Sequence, residues 1–100
     1  MESQFGEKIR ALREKQQLYL RQVAPLLEMD TAQLSKIEKG IRQLKREQIP
    51  ILAEILKTEK DELLILWLAD QLSAVVADEE FAYEAMHVAE KNISLKNRNK

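Results

Sequence analysis

Cysteine is absent from this 100-residue chain, and glycine and proline occur only twice each. Without cysteine there is no disulfide framework and no thiolate metal site, which fits a reducing compartment. So few helix breakers, with no alternating β-branched stretch, predict an all-α fold. No apolar run approaches the ~20 residues that a membrane span requires. The opening MESQFGEKIR has no apolar core behind a basic region, so no signal peptide is expected and the chain is expected in the cytoplasm. His87 is the single histidine, so no metal site is expected, and the Asp78–Glu79–Glu80 cluster is explained by the positive end of a helix. No glycine-rich phosphate loop, nucleophile–base pair or paired catalytic carboxylates can be found, so neither an enzyme nor a cofactor is expected.

The charge is small in sum and uneven in distribution. The net value is −1. Residues 1–48 hold ten Lys/Arg against seven Asp/Glu, residues 49–90 hold two against ten, and residues 91–100 hold four against none. The first segment therefore suits a polyanionic partner, and the second suits a face turned away from it. Solvated helix faces are the plainer explanation of the same pattern.

The informative stretch is Leu20–Gly40, LRQVAPLLEMDTAQLSKIEKG. Val23, Ala24 and Leu27 share one helical face. Asp30 is a good N-cap, and Gln33 is placed to complete a capping box. Leu34 and Ile37 form the inner face of the second helix, with Met29 as an apolar plug in the turn. The outer face carries Thr31, Ala32, Gln33, Ser35, Lys36 and Lys39. These side chains are short, polar or cationic, a face thin enough for a DNA major groove. Gly40 is a good C′ residue. Around this stretch the sequence predicts helices over about 3–16, 46–56 and from Lys60 to Leu72 or beyond. Phe5, Ile9 and Leu12 form the stripe of the first. Ile41 and Leu44 are expected to turn inward from the loop at 41–46. Arg10 and Arg13 are expected to form surface ion pairs with Glu14 or Glu38.

With Ile9–Glu14 before it, and Leu34–Gly40, Leu52–Leu56 and Asp61–Leu64 in order, the chain over roughly residues 5–66 resembles the lambda-repressor/Cro-like family, also called the XRE family. The resemblance implies a five-helix DNA-binding domain with a helix-turn-helix at 20–40. It implies base contacts from Thr31, Ala32, Gln33 and Lys36, whose chemistry agrees. Gln can pair with adenine, Lys can donate to guanine, and Ala or the Thr methyl can rest on thymine. The competing role for Gln33 is the capping box, and for Lys36 and Lys39 the helix dipole. Arg21, Gln22, Lys39, Arg42, Lys45 and Arg46 are the candidates for the phosphate ridge. Three departures from the family pattern stand out. Tyr19 and Leu20 replace the usual Ser/Thr cap and Gln, Pro25 falls inside the second helix, and Glu28 stands where the turn often has Gly.

Beyond residue 68 the chain is expected to form a helical extension over 69–91, then a basic, disordered tail over 92–100. In a helix at about 78–91, Phe81, Ala85 and Val88 repeat at helical spacing. With Trp67 they are the candidate dimerisation residues. The sequence thus predicts a sequence-specific, homodimeric DNA-binding regulator on a palindromic operator. Controller proteins of restriction–modification systems and phage repressors offer an analogy of size and motif. The second reading is an antitoxin-like module whose C-terminal segment holds a partner protein while the helix-turn-helix autoregulates.

Overall fold

Asp70 fastens the chain's first helix from the far side of the sequence. In the computed structural model, which describes the backbone of residues 3–98 and side chains through residue 95, its carboxylate accepts from Ser3 Oγ. It also accepts from the backbone N–H of Gln4 at 3.2 Å and of Phe5 at 3.0 Å. Ser3 Oγ in turn accepts from Gly6 N–H at 2.8 Å. The N–H groups that a helix start leaves open are thus satisfied by two side chains.

The fold is all-α, with a helix-turn-helix. Its helices are α1 (Gln4–Lys15), α2 (Leu20–Val23), α3 (Thr31–Glu38), α4 (Ile49–Ile55), α5 (Lys60–Val76) and α6 (Ala82–Arg98). Short 3₁₀ turns over Ala24–Leu27 and Arg46–Gln48 join α2 to α3 and lead into α4. The chain divides into two units, Met1–Asp70 and Gln71–Lys100.

In the first unit α1 to α4 and the start of α5 close over one core. Phe5, Ile9, Val23, Ala24, Leu27, Leu34, Ile37, Leu44, Ile49, Leu52, Ala53, Leu56 and Leu63 are buried. The apolar stripes expected of α1, the helix-turn-helix and α4 all meet there, with Met29 and Trp67 half-buried against them. Trp67 also bonds within the unit, since its indole N–H donates to Leu44 O at 2.8 Å. Ile41 departs from expectation at 69% exposed. Past Gly40, at φ 79°, the N–H groups of Ile41 and Arg42 both fold back onto Lys36 O, and Leu44 takes the core position instead.

Pro25 shapes the entry to α3. It has no N–H for the carbonyl of Arg21, so α2 ends after one turn and the chain tightens into 3₁₀ with Pro25 at its second position. Glu28 then adopts the left-handed conformation, φ 56° and ψ 43°, that a glycine would take more cheaply.

Gly6 sets the distance between α1 and α3. A Cβ there would clash with Glu38 O and lie 2.8 Å from Ile37 O, which are backbone atoms that cannot swing aside.

The second unit holds the end of α5, a turn and α6, and among the described residues no side chain of 71–95 is fully buried. Two expectations change here. The last helix begins at Ala82 rather than near Asp78, because Phe81 O accepts the first helical bond, from Ala85 N–H at 2.9 Å. It also runs on to Arg98, so 92–98 is helical where a loose tail was expected, since no Gly or Pro interrupts the stretch. Residues 99–100 of that expected tail lie outside the described residues.

Two stability outcomes follow. Gly6→Ala is expected to lose roughly 2–3 kcal/mol through overpacking against α3. Helices α1 and α4 are followed by left-handed Gln17 (φ 57°) and Lys57 (φ 55°), and replacing either with Gly is expected to gain about 1 kcal/mol. Urea midpoints at constant m-value check both, and a neutral Gly6→Ala contradicts the close approach.

Candidate nucleic-acid interface

The candidate surface is built on α3, whose start is fixed by Asp30. Its carboxylate accepts from Gln33 N–H at 2.7 Å. Only this half of the expected capping box forms. Among the described residues the Gln33 side chain makes no return bond to the Asp30 N–H, so its amide is available to a ligand. Leu34 and Ile37 are each 1% exposed, while Thr31, Ala32, Lys36 and Lys39 are exposed and Gln33 and Ser35 half-buried. The helix therefore has one face in the core and one in solvent, as its period dictates.

A single guanidinium ties α3 to α1. Arg13 Nε donates to Glu38 Oε2 at 2.7 Å, and Arg13 NH2 donates to Glu38 Oε1 at 3.1 Å. The remaining arm, NH1, donates to Leu18 O at 2.8 Å, in the connection to α2. The expected pairing of Arg13 with Glu38 is present, but it is not a surface pair, since the two side chains are 13% and 6% exposed. The hydrogen bond to Glu38 outweighs desolvation and holds Arg13 above its ordinary, already high pKa, so the guanidinium keeps its charge. Arg10 pairs with Glu14 at 2.9 Å on the surface, as expected.

The phosphate-ridge candidates sit on the segments around α3. Arg21 is exposed, its guanidinium stacked 4.5 Å from the ring centre of Tyr19. Gln22 Oε1 accepts from Tyr19 N–H at 2.8 Å. This is the return bond of a capping box, it satisfies the N–H that precedes α2, and it leaves the Gln22 –NH2 as a donor. Lys39, Arg42, Lys45 and Arg46 are all exposed. Arg42 is brought back to α3 by its N–H bond to Lys36 O at 3.3 Å. Lys45 and Arg46 are drawn toward the turn before α3 by Gln48, which accepts from Lys45 N–H at 3.1 Å and donates to Leu27 O at 3.0 Å.

A small cavity of about 140 Å³ opens between α1, the start of α2 and α3, lined by Arg10, Arg13, Leu20, Ser35, Glu38 and Lys39. It is rich in cations and its carboxylate is already engaged by Arg13.

A family model described as a helix-turn-helix domain matches residues 4–65. The chain belongs to this family of helix-turn-helix domains. It is a DNA-binding helix-turn-helix protein, of a family that is typically non-enzymatic. Comparisons with curated proteins and with solved structures gave no match. The helix-turn-helix domain so matched covers α1 to α4 and the first part of α5, and stops short of Asp70 and of the second unit. No helix among the described residues is long and apolar enough to cross a membrane, and none of their His, Asp and Glu side chains gather into a metal-binding group.

Sequence reasoning missed Gln48, Asp70 and the Arg13–Leu18 bond, which hold the helix-turn-helix in place. Gly6 did give a signal. A glycine inside a helical stripe costs about 1 kcal/mol against alanine and implies a close backbone neighbour.

The Arg13 clamp has a direct test. Arg13→Leu is expected to lose about 2–4 kcal/mol, because it leaves a largely buried Glu38 carboxylate unpaired. Arg13→Leu/Glu38→Leu is expected to recover part of that loss in thermal unfolding. Equal loss in single and double variants contradicts the clamp.

Proposed function

We propose that this helix-turn-helix protein is a sequence-specific transcriptional regulator of the XRE type, acting as a homodimer on a palindromic operator. The observation that carries the reading is the free outer face of α3. Lys36 and Lys39 stand exposed on it, and the Gln33 amide is unused, while Leu34 and Ile37 anchor the opposite face.

Thr31, Ala32, Gln33 and Lys36 read base edges in the major groove. Gln33 supplies a donor–acceptor pair suited to adenine, Lys36 donates to guanine O6/N7, and Ala32 and the Thr31 methyl contact thymine methyls. Arg21, Gln22, Lys39, Arg42, Lys45 and Arg46 grip the phosphates on either side and set the register. The acidic second half of the chain keeps the remaining surface off the duplex. Two copies place two α3 helices about one DNA turn apart. The dimer forms through the second unit, where Phe81 and Val88 are 65% and 57% exposed and Ala85 is exposed beside them. Trp67, grouped with them by the sequence, braces its own domain by donating to Leu44 O. A DNA substrate implies the cytoplasm as the place of work. In size and motif order the chain resembles restriction–modification controllers and phage repressors.

The same exposed unit favours one alternative, an autoregulating antitoxin-like module whose α6 covers a different protein. The isolated chain separates the two, since it sediments as a dimer in the first reading and as a monomer in the second.

Selection of bound duplexes from a random pool is expected to yield a palindrome. Gln33→Ala and Lys36→Ala are each expected to cost ~1–3 kcal/mol on that site and to relax one base position while the fold is kept. Arg42→Ala is expected to weaken all duplexes alike and to reduce the salt slope by about one unit. Unchanged site preference in both α3 variants removes the base-reading assignment.

A further inference from the structure

The last helix carries a pattern that says which way two copies would face. Phe81, just before α6, and Ala85, Val88, Asn92 and Leu95 within it are spaced alternately four and three residues apart, the spacing of a coiled-coil seam. All five are exposed, with Phe81 at 65%, Val88 at 57% and Leu95 at 58%. On the neighbouring stripe Ala82 is half-buried, while Met86 and Ile93 are 43% and 56% exposed. The charge along the segment is polarised. Asp78, Glu79, Glu80 and Glu84 lie at one end, and residues 91–100 hold four Lys/Arg and no acid.

A parallel pair of such helices would set acid beside acid and base beside base. An antiparallel pair sets each end beside its opposite. We infer that α6 docks antiparallel on α6 of a second copy, about a twofold axis at Val88. This inference rests on the homodimer reading and adds its geometry.

The register follows from the spacing. With Val88 on the axis, Phe81 meets the partner's Leu95, and Ala85 meets the partner's Asn92. The small Ala85 side chain leaves room for the amide, which stays at the seam and fixes the register. Glu84 and Lys91 flank the seam on one edge of the helix, both exposed, and each comes to lie beside the partner's opposite charge. Twofold symmetry makes that pair twice, as an isologous contact must.

The absence of native cysteine allows a direct test by cross-linking in the full-length chain. Phe81→Cys mixed with Leu95→Cys is expected to form a disulfide-linked dimer under mild oxidation, and Phe81→Cys alone is not. Independently, Glu84→Lys and Lys91→Glu are each expected to weaken the dimer roughly tenfold, and the double variant to restore it. Self-linking of Phe81→Cys, with single charge variants that dimerise like the parent, overturns the antiparallel arrangement and leaves the homodimer standing. A dimer that forms none of these cross-links and ignores the charge variants uses another surface and overturns the inference. A parent chain that sediments as a monomer overturns the homodimer reading and this inference with it.

Discussion

The bond between Arg13 and Glu38 is the constraint on which the placement of α3, the proposed reading helix, depends. A helix offered to DNA can give only one face to its own core, and α3 is two turns long, so few apolar contacts hold it. Leu34 and Ile37 supply the packing, and the bidentate pair supplies orientation. The third arm of Arg13, on Leu18 O, ties the connection to α2 into the same clamp. All of this works only because Gly6 lets α1 come down onto the carbonyls of Ile37 and Glu38. A buried ion pair is a weak source of net stability but a strong source of geometry, since breaking one side leaves a charge without water.

The remaining departures from an average helix-turn-helix are absorbed locally. Pro25 shortens α2 and puts its continuation into 3₁₀, and Gln22 accepts from the Tyr19 N–H at the start of α2. Glu28 accepts a left-handed conformation in the turn. These departures are confined to residues 19–28, and Leu34 and Ile37 of α3 keep their places in the core.

What could be read from the sequence was whatever is encoded locally. The buried faces of Val23, Ala24, Leu27, Leu34 and Ile37 follow from helical period, the Asp30 cap from residue type, and the stop at Gly40 from its free φ. The exposure of Thr31, Ala32, Lys36 and Lys39 follows from the same period. The long-range fasteners could not be read. Asp70 caps a helix that starts 66 residues earlier, and Gln48 reaches back to Leu27. Such bonds depend on where the packed elements bring two polar groups, which no local pattern encodes. Ile41 misled because an apolar residue beyond a left-handed glycine can point either way, and Leu44 filled the site. The end of α6 misled because polar composition was taken for disorder in a stretch with no helix breaker.

The proposed function requires the outer face of α3 to meet the bases. Amide chemical-shift mapping of the isotope-labelled chain, titrated with its selected operator duplex, tests it most directly. The largest changes are expected across Thr31–Lys39, with smaller ones at Arg21, Gln22 and 42–46, and little change across α6. Changes that leave α3 untouched and cluster on α6 would contradict it.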